Sequence, residues 1–220
     1  MSFDAIAPWY RTLETIAFGK DLQRARVACL GEINSPRHAL IVGEGNGRFL
    51  CELLRLHPNV EVDCVDTSQR MLELARQRIE REVPQSINRI RFLPQDINSW
   101  SPPEHQFDLI VTHFFLDCFS ESRVAEIVAK LSRAAAVDAT WLLADFCVAA
   151  GGVAHFRAAL WLAAMYRFFQ FTAGIEATAL VDPSPFLCAA GFNLTSRHLF
   201  RSGMLKSELW RRDSLGSAGC

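Results

Sequence analysis

Apolar runs of strand length alternate with stretches of helical periodicity from residue 38 to residue 146. The run Ala39-Leu40-Ile41-Val42 has the size of a buried strand. It passes through Gly43-Glu44-Gly45-Asn46-Gly47 into Phe49, Leu50, Leu53 and Leu54, which recur at helical spacing until Pro58 closes the helix. Residues 60–65 read as a second strand, with Val60, Val62 and Cys64 facing one way and Glu61 and Asp63 the other. Asp66 ends that strand. Thr67-Ser68 then offers a helix N-cap ahead of the apolar stripe Leu72, Ala75 and Ile79. A third strand is predicted over 87–93, and a loop holding Pro102 and Pro103 over 98–106. A fourth strand spans 107–112. Ser120 caps the next helix, whose Val124, Ile127, Val128 and Leu131 form a 3.6-residue face. A fifth strand covers 140–146.

Such alternation implies a largely parallel sheet with helices on both faces. Beyond Gly151-Gly152, residues 153–171 read as a long apolar helix and 184–190 as a short one ending at Gly191. Strands at 193–200 and 205–210, separated by Ser202-Gly203, pair as an antiparallel hairpin. The expected fold class is therefore α/β: a Rossmann-like, doubly wound sheet of seven strands, mostly parallel, closed by a C-terminal antiparallel hairpin. Residues 3–33 read as helical, with Ile6, Trp9, Tyr10, Leu13 and Ile16 on one face. Two readings stand for this stretch: a cap packed on the sheet, or a lid with Tyr10 reaching into a site. The organisation is then a cap or lid over 1–36, the main domain over 37–212 and a polar tail over 213–220.

Composition removes some function classes. The net charge is −1 with no basic block, so no nucleic-acid partner is expected. The most apolar long stretch, 153–172, is broken by His155, Arg157, Arg167 and Gln170, so no membrane span is expected. Met1-Ser2-Phe3-Asp4 lacks the basic start and apolar core of a secretion signal. The seven cysteines form no Cys-x-x-Cys pair, match no zinc spacing and lie mostly in apolar runs. A reducing cytoplasm, no disulfide framework and no metal centre are the expectations.

The candidate chemistry centres on the glycine turn. Glycine admits positive φ and lets a ligand approach without a Cβ in the way, and the helix start behind it carries unpaired N–H groups. Gly43, Gly45 and Gly47 give G-x-G-x-G, with Arg48 where a dinucleotide fingerprint has its third glycine. That counts against a nicotinamide or flavin dinucleotide. Asp66 stands at the carboxyl end of the second strand, where a carboxylate accepts from both ribose hydroxyls; the plainer reading is a helix cap. Asp96 ends the third strand in the same way. It suits an adenine amino group, with Ile97 offering a backbone N–H and an apolar face; the plainer reading is a loop aspartate.

With these pieces in order, the chain resembles the class I S-adenosylmethionine-dependent methyltransferases. The resemblance rests on Val42-Gly43-Glu44-Gly45-Asn46-Gly47, on Asp66-Thr67-Ser68-Gln69-Arg70-Met71-Leu72, on Gln95-Asp96-Ile97 and on Phe107-Asp108-Leu109-Ile110-Val111. It runs from about residue 38 to residue 146, and the closing hairpin suits it. The opening Phe3-Asp4-Ala5-Ile6-Ala7-Pro8-Trp9-Tyr10 is similar to the start of the ubiquinone/menaquinone-type subgroup. The resemblance implies S-adenosylmethionine as cofactor and S-adenosylhomocysteine as product. It implies that Gly43, Glu44, Gly45, Asn46 and Gly47 wrap the methionine and ribose part, that Asp66 and Thr67 meet the ribose, that Met71 lies near the adenine, and that Asp96 and Ile97 hold its edge. One departure is plain: the family usually has an acidic residue two places before the first glycine, where this chain has Ile41. Glu44 is the nearest substitute carboxylate.

Methyl transfer is an in-line displacement, so alignment and exclusion of water are the main tasks, and a base is needed only for an acceptor that must lose a proton. His113 and Asp117 are the polar members of the aromatic stretch after the fourth strand, which holds Phe114, Phe115 and Phe119. Each is a base candidate or a pocket wall, and His113 also borders the cofactor position. His155 is a second base candidate. The aromatic residues of 153–171, Trp161 among them, favour an apolar or aromatic small-molecule acceptor. No Asn/Asp-Pro-Pro-Tyr/Phe motif follows the fourth strand, which argues against nucleic-acid bases and protein glutamine as acceptors. The expected function is methylation of a small molecule by a monomer or homodimer. The alternatives are a non-catalytic binder of the same cofactor, which Ile41 favours, and a nicotinamide-dependent oxidoreductase.

Overall fold

The computed structural model describes residues 20–147 and 180–212. Tyr10, His155, Trp161, the long helix at 153–171 and the polar tail lie outside the described residues. Seven strands form one sheet: β1 (His38–Val42), β2 (Glu61–Asp66), β3 (Ile90–Pro94), β4 (Phe107–His113), β5 (Ala135–Phe146), β6 (Phe192–Phe200) and β7 (Leu205–Arg212). Their spatial order is β3-β2-β1-β4-β5-β7-β6. Pairing among β1 to β5 is parallel, and β7 runs antiparallel to both β5 and β6. The chain reverses direction of travel across the sheet between β1 and β4, and ligands in open α/β sheets bind beyond the strand ends at such a switch point.

Helices cover both faces, as the sequence pattern requires. On one face, Phe49, Leu50, Leu53 and Leu54 of α2 (Arg48–Leu56) and Leu72 and Ile79 of α3 (Gln69–Glu82) pack on Ile41, Val62, Cys64 and Val111. On the other, Val124, Ile127, Val128 and Leu131 of α4 (Glu121–Ala134) and Leu187 of α5 (Ser184–Ala189) pack on Leu40, Val42, Val65, Ile110 and Trp141. The first described helix, α1 (Asp21–Val27), sets Leu22 against Phe146 and Leu205. Burying a side chain of this size is worth about 1.5–3 kcal/mol, so the two sandwiched cores dominate the stability.

Several expectations need correction. β3 begins at Ile90, because Pro84 opens a 3-10 turn (Pro84–Arg89) over the residues assigned to the strand's start. β5 begins at Ala135, directly after α4, so helix and strand meet with no loop between them. Asp63, on the opposite face of β2 from Val62 and Cys64, is buried, and Arg91 of β3 grips it through Nε at 2.6 Å and Nη2 at 2.5 Å. Ser120 stands at the N-cap of α4, yet its hydroxyl meets Ser122 rather than a helix N–H. Ser68 does cap α3, accepting from the Met71 N–H. Cys29, Cys51, Cys64, Cys118 and Cys147 are free thiols. Among the described residues, no helix is long and apolar enough to cross a membrane.

Candidate cofactor and active site

The turn after β1 uses its three glycines in two ways. All three have positive φ: 73° at Gly43, 72° at Gly45 and 81° at Gly47. A Cβ on Gly43 would stand 2.6 Å from Phe115 Cδ2, and one on Gly47 would stand 2.9 Å from the Ala75 Cα. These two glycines are required by the protein's own packing, the second because α2 and α3 approach there. A Cβ on Gly45 would meet nothing within 4 Å. Its bare backbone therefore borders open space at the switch point, where a ligand can approach without a Cβ in the way.

The neighbouring strand ends complete this side. Asp66, half-buried at the end of β2, accepts from the Gly45 N–H at 3.4 Å through Oδ2 and from the Ser68 N–H at 2.9 Å through Oδ1. It joins the glycine turn to the start of α3, in line with the plainer reading of a local cap. Thr67 is exposed beside it and Met71 is half-buried one turn on. The Asn46 carbonyl accepts from Arg78 Nε at 2.8 Å, which ties the turn to α3. Asp96, two residues past β3, is exposed, and its Oδ1 accepts from the Asn98 N–H and side-chain amide, both at 2.9 Å. Ile97 differs from expectation: its side chain is buried in the core, and its carbonyl accepts from Lys130 Nζ at 2.6 Å. Its apolar face is therefore part of the sheet's packing.

Glu44 also has a role other than the expected one. The Glu44 side chain is buried, and one oxygen accepts from the Phe49 and Leu50 N–H groups at 3.0 Å each. Gly47, the N-cap residue of α2, has no side chain to offer, so Glu44 caps the helix from within the turn. Burial pushes its pKa up to about 7, against the pull of those two N–H groups and of Arg26. Ile41 is in the core. Neither residue reproduces the usual acidic position before the first glycine.

The carboxyl end of β4 carries the polar candidates for chemistry. His113 is 5% exposed, its Nδ1 is buried without a hydrogen-bond partner, and its ring meets Phe49 edge-on at 4.5 Å. Burial, and then the Arg26 charge, hold its pKa well below the usual imidazole range. The neutral ring is thus a weak base buried against Phe49. Phe114 follows with φ +52°, a strained conformation for an aromatic residue, between Phe146 at 5.3 Å and the Arg26 guanidinium at 5.1 Å. Asp117, in the turn after β4, is 6% exposed and burial pushes its pKa up to about 6. It lies beside Asp145 of β5, whose own pKa is driven well up by burial and by the Asp117 charge. Asp145 Oδ2 is buried without a hydrogen-bond partner, and Lys206, across the β5–β7 ladder from Asp145, bonds Asp182 at 2.8 Å.

Sequence reasoning missed Arg26 and Asp145. Both were signalled by a charge interrupting an apolar pattern: Arg26 falls on the stripe Leu22, Ala25, Cys29, and Asp145 is the one charged residue of the run 141–146.

Comparison with known proteins agrees with this geometry. A family profile described as a methyltransferase domain matches residues 39–138. Malonyl-[acyl-carrier protein] O-methyltransferase of Paenibacillus sp. (strain JDR-2) is 35% identical over 105 residues, covering 47% of this chain and 36% of the relative. Demethylmenaquinone methyltransferase of Deinococcus radiodurans is 32% identical over 121 residues, covering 54% and 48%. The chain thus spans less than half the length of these curated relatives. The solved structure of CalO1, a methyltransferase in calicheamicin biosynthesis in its SAH-bound form, shares the fold with a TM-score of 0.66 at 20% identity, over 96% of this chain and 58% of that one. Residues 39–138 thus match a methyltransferase domain, set in a sheet whose fold the chain shares with solved methyltransferases.

Proposed function

We propose that this chain transfers a methyl group from S-adenosylmethionine to a small-molecule acceptor of apolar or aromatic character. The observation that carries the reading is Gly45, whose positive-φ backbone faces open space beside Asp66 at the switch point of the sheet. S-adenosylmethionine, when bound, supplies a methyl carbon activated by the positive sulfur. Gly45 and Asn46 would cradle the methionine and ribose part, Asp66 would take the ribose hydroxyls, and Met71, Asp96 and the Ile97 N–H would border the adenine. Phe114, Phe115 and Phe119 exclude water from the carboxyl edge of β4. Asp117, paired with Asp145, is the group placed to take a proton from an acceptor that must lose one; His113 shapes the wall. Two relatives are named for malonyl-[acyl-carrier protein] and for demethylmenaquinone, which supports a small or carrier-bound acceptor, while a third is a ribosomal RNA large subunit methyltransferase of Aeromonas salmonicida.

Thermal unfolding with S-adenosylhomocysteine, and with NAD as control, tests the cofactor. A ligand at a hundred times its dissociation constant adds about 2.7 kcal/mol, a rise of roughly 5–10 °C for a domain of this size. The shift is expected with S-adenosylhomocysteine alone and should be lost in Asp66→Ala. A shift with NAD instead, or none with either at millimolar ligand, overturns the reading. Ile41 and the capping role of Glu44 favour a second reading, a non-catalytic binder of the same cofactor. Turnover of methyl-labelled cofactor against a metabolite extract separates the two.

A further inference from the structure

We propose that Cys29, Glu32 and His198 form a metal site of the zinc class, remote from the glycine turn, that ties the N-terminal segment to the outer hairpin of the sheet. Cys29 and Glu32 flank the 3-10 turn Leu30–Glu32, and His198 lies on β6, the outermost strand, which is separated from β1 by β4, β5 and β7. One donor atom from each, a thiol sulfur, a carboxylate oxygen and an imidazole nitrogen, lie within 4.8 Å of one another. His198 Nε2 stands 2.8 Å from Glu32 Oε1.

The donors come from two backbones that hold them independently. His198 is the ladder partner of Ser207, and the Ser207 hydroxyl stands 3.5 Å from the Cys29 sulfur. The Ser196 hydroxyl stands 3.3 Å from His198 Nε2. Arg211 of β7 donates to the Glu32 carbonyl at 3.0 Å, which fixes the turn over the hairpin. The Ser207 hydroxyl beside the Cys29 sulfur can donate to it as an outer-sphere partner, and the Ser196 hydroxyl leaves His198 Nε2 when the ion takes that nitrogen. Cys29 is 1% exposed, while Glu32 and His198 are exposed and form the entrance.

The chemistry selects the class of ion. A thiolate with an imidazole favours zinc and cobalt over magnesium or calcium, which prefer oxygen donors. A thiolate and a carboxylate together neutralise a divalent ion. Tetrahedral bonds of about 2.0–2.3 Å place donors roughly 3.3–3.8 Å apart, so the widest pair need close by only about one ångström while the Glu32–His198 pair opens by about half of one. Three protein ligands leave the fourth position to water. The His198–Glu32 hydrogen bond gives way to two bonds to the ion.

Cobalt(II) titration of the chelator-stripped, full-length protein tests the site. One cobalt per chain and a thiolate-to-cobalt charge-transfer band are expected, with zinc displacing the cobalt. Cys29→Ser should abolish the band. His198→Ala, at an exposed strand position, should weaken cobalt by more than about 100-fold, the upper range for loss of an outer partner. The S-adenosylhomocysteine shift should persist in His198→Ala, which separates this site from the cofactor site. No band at stoichiometric cobalt, or a band unchanged in both variants, overturns the proposal.

Discussion

The carboxyl ends of β1–β3 and of β4–β5 present the same residue type in two degrees of access. Asp66 and Asp96, on the first side, are half-buried and exposed, and each accepts from backbone N–H groups two residues on. Asp117 and Asp145, on the second, are sealed, feel each other's charge and have raised pKa values. Carboxylates held open by local turns can receive a ligand's hydroxyl and amino groups without moving. A sealed pair holds a proton and lets it go only at a cost in desolvation. The sheet edge therefore offers a recognition side and a proton-holding side, divided at the switch point. Removing a group from the first should change affinity, and removing one from the second should change stability and its pH dependence.

The largest expected effect sharpens the boundary between ligand space and protein packing. Gly47→Ala combines a left-handed backbone with a Cβ 2.9 Å from the Ala75 Cα, and should cost about 3 kcal/mol in denaturant unfolding. Gly45→Ala has the same φ and no clash, so about 1 kcal/mol is expected, with loss of the S-adenosylhomocysteine shift. Equal destabilisation by both would mean that the space beside Gly45 has no ligand role.

Glu44 belongs by sequence to the recognition side and by environment to the sealed one. Its folded pKa of about 7 lies above the ordinary 4.5, so the folded state binds the extra proton between those values. Its contribution is full below pH 4.5 and is lost as pH rises through about 7, by roughly 3 kcal/mol. Glu44→Gln keeps an acceptor for Phe49 and Leu50 and should remove that slope. His113 acts in the opposite sense: its depressed pKa gives stability that is present above 6.5 and is lost as pH falls. A wild-type-minus-variant stability difference that is flat from pH 4.5 to 7.5 would place Glu44 with the open carboxylates.

Asp117→Asn tests the sealed pair directly. Its folded pKa of about 6 against 3.8 makes the wild type lose stability as pH rises from about 4 to about 6, on the order of 2 kcal/mol. The variant should lose that slope and leave the S-adenosylhomocysteine dissociation constant unchanged in calorimetry. A large loss of affinity would join the two sides into one site.

Much of this division was legible in the sequence, and the exceptions share a cause. Strand existence followed from apolar runs such as 39–42 and 107–112, and the glycine turn and Asp66 announced the switch point. The strand order could not be read, because pairings such as β5 with β7 join residues 59 to 71 apart. Ala134-Ala135-Ala136 carries a helical propensity that hid the start of β5, and the tertiary ladder with β4 overrides it. Glu44 looked like a ligand carboxylate, because only the fold reveals that α2 has no other cap. Asp145 was passed over inside a strand whose burial makes a lone carboxylate informative.

Asp96 gives the smallest effect and the finest test of the comparison. Its Oδ1 is engaged by Asn98, so whatever it offers an adenine edge comes from the same carboxylate that shapes the turn. Asp96→Asn keeps an oxygen for the Asn98 N–H and removes the charge. One hydrogen bond to a neutral partner is worth about 0.5–1.5 kcal/mol, so S-adenosylhomocysteine should weaken roughly three- to tenfold with the unfolding midpoint unchanged. The same substitution should leave binding of inosine-containing homologues, which lack the amino group, nearly unaffected. If both ligands weaken equally, Asp96 acts by shaping the Asn98 turn, and Asp66 is the one carboxylate of the open side that reads the cofactor directly.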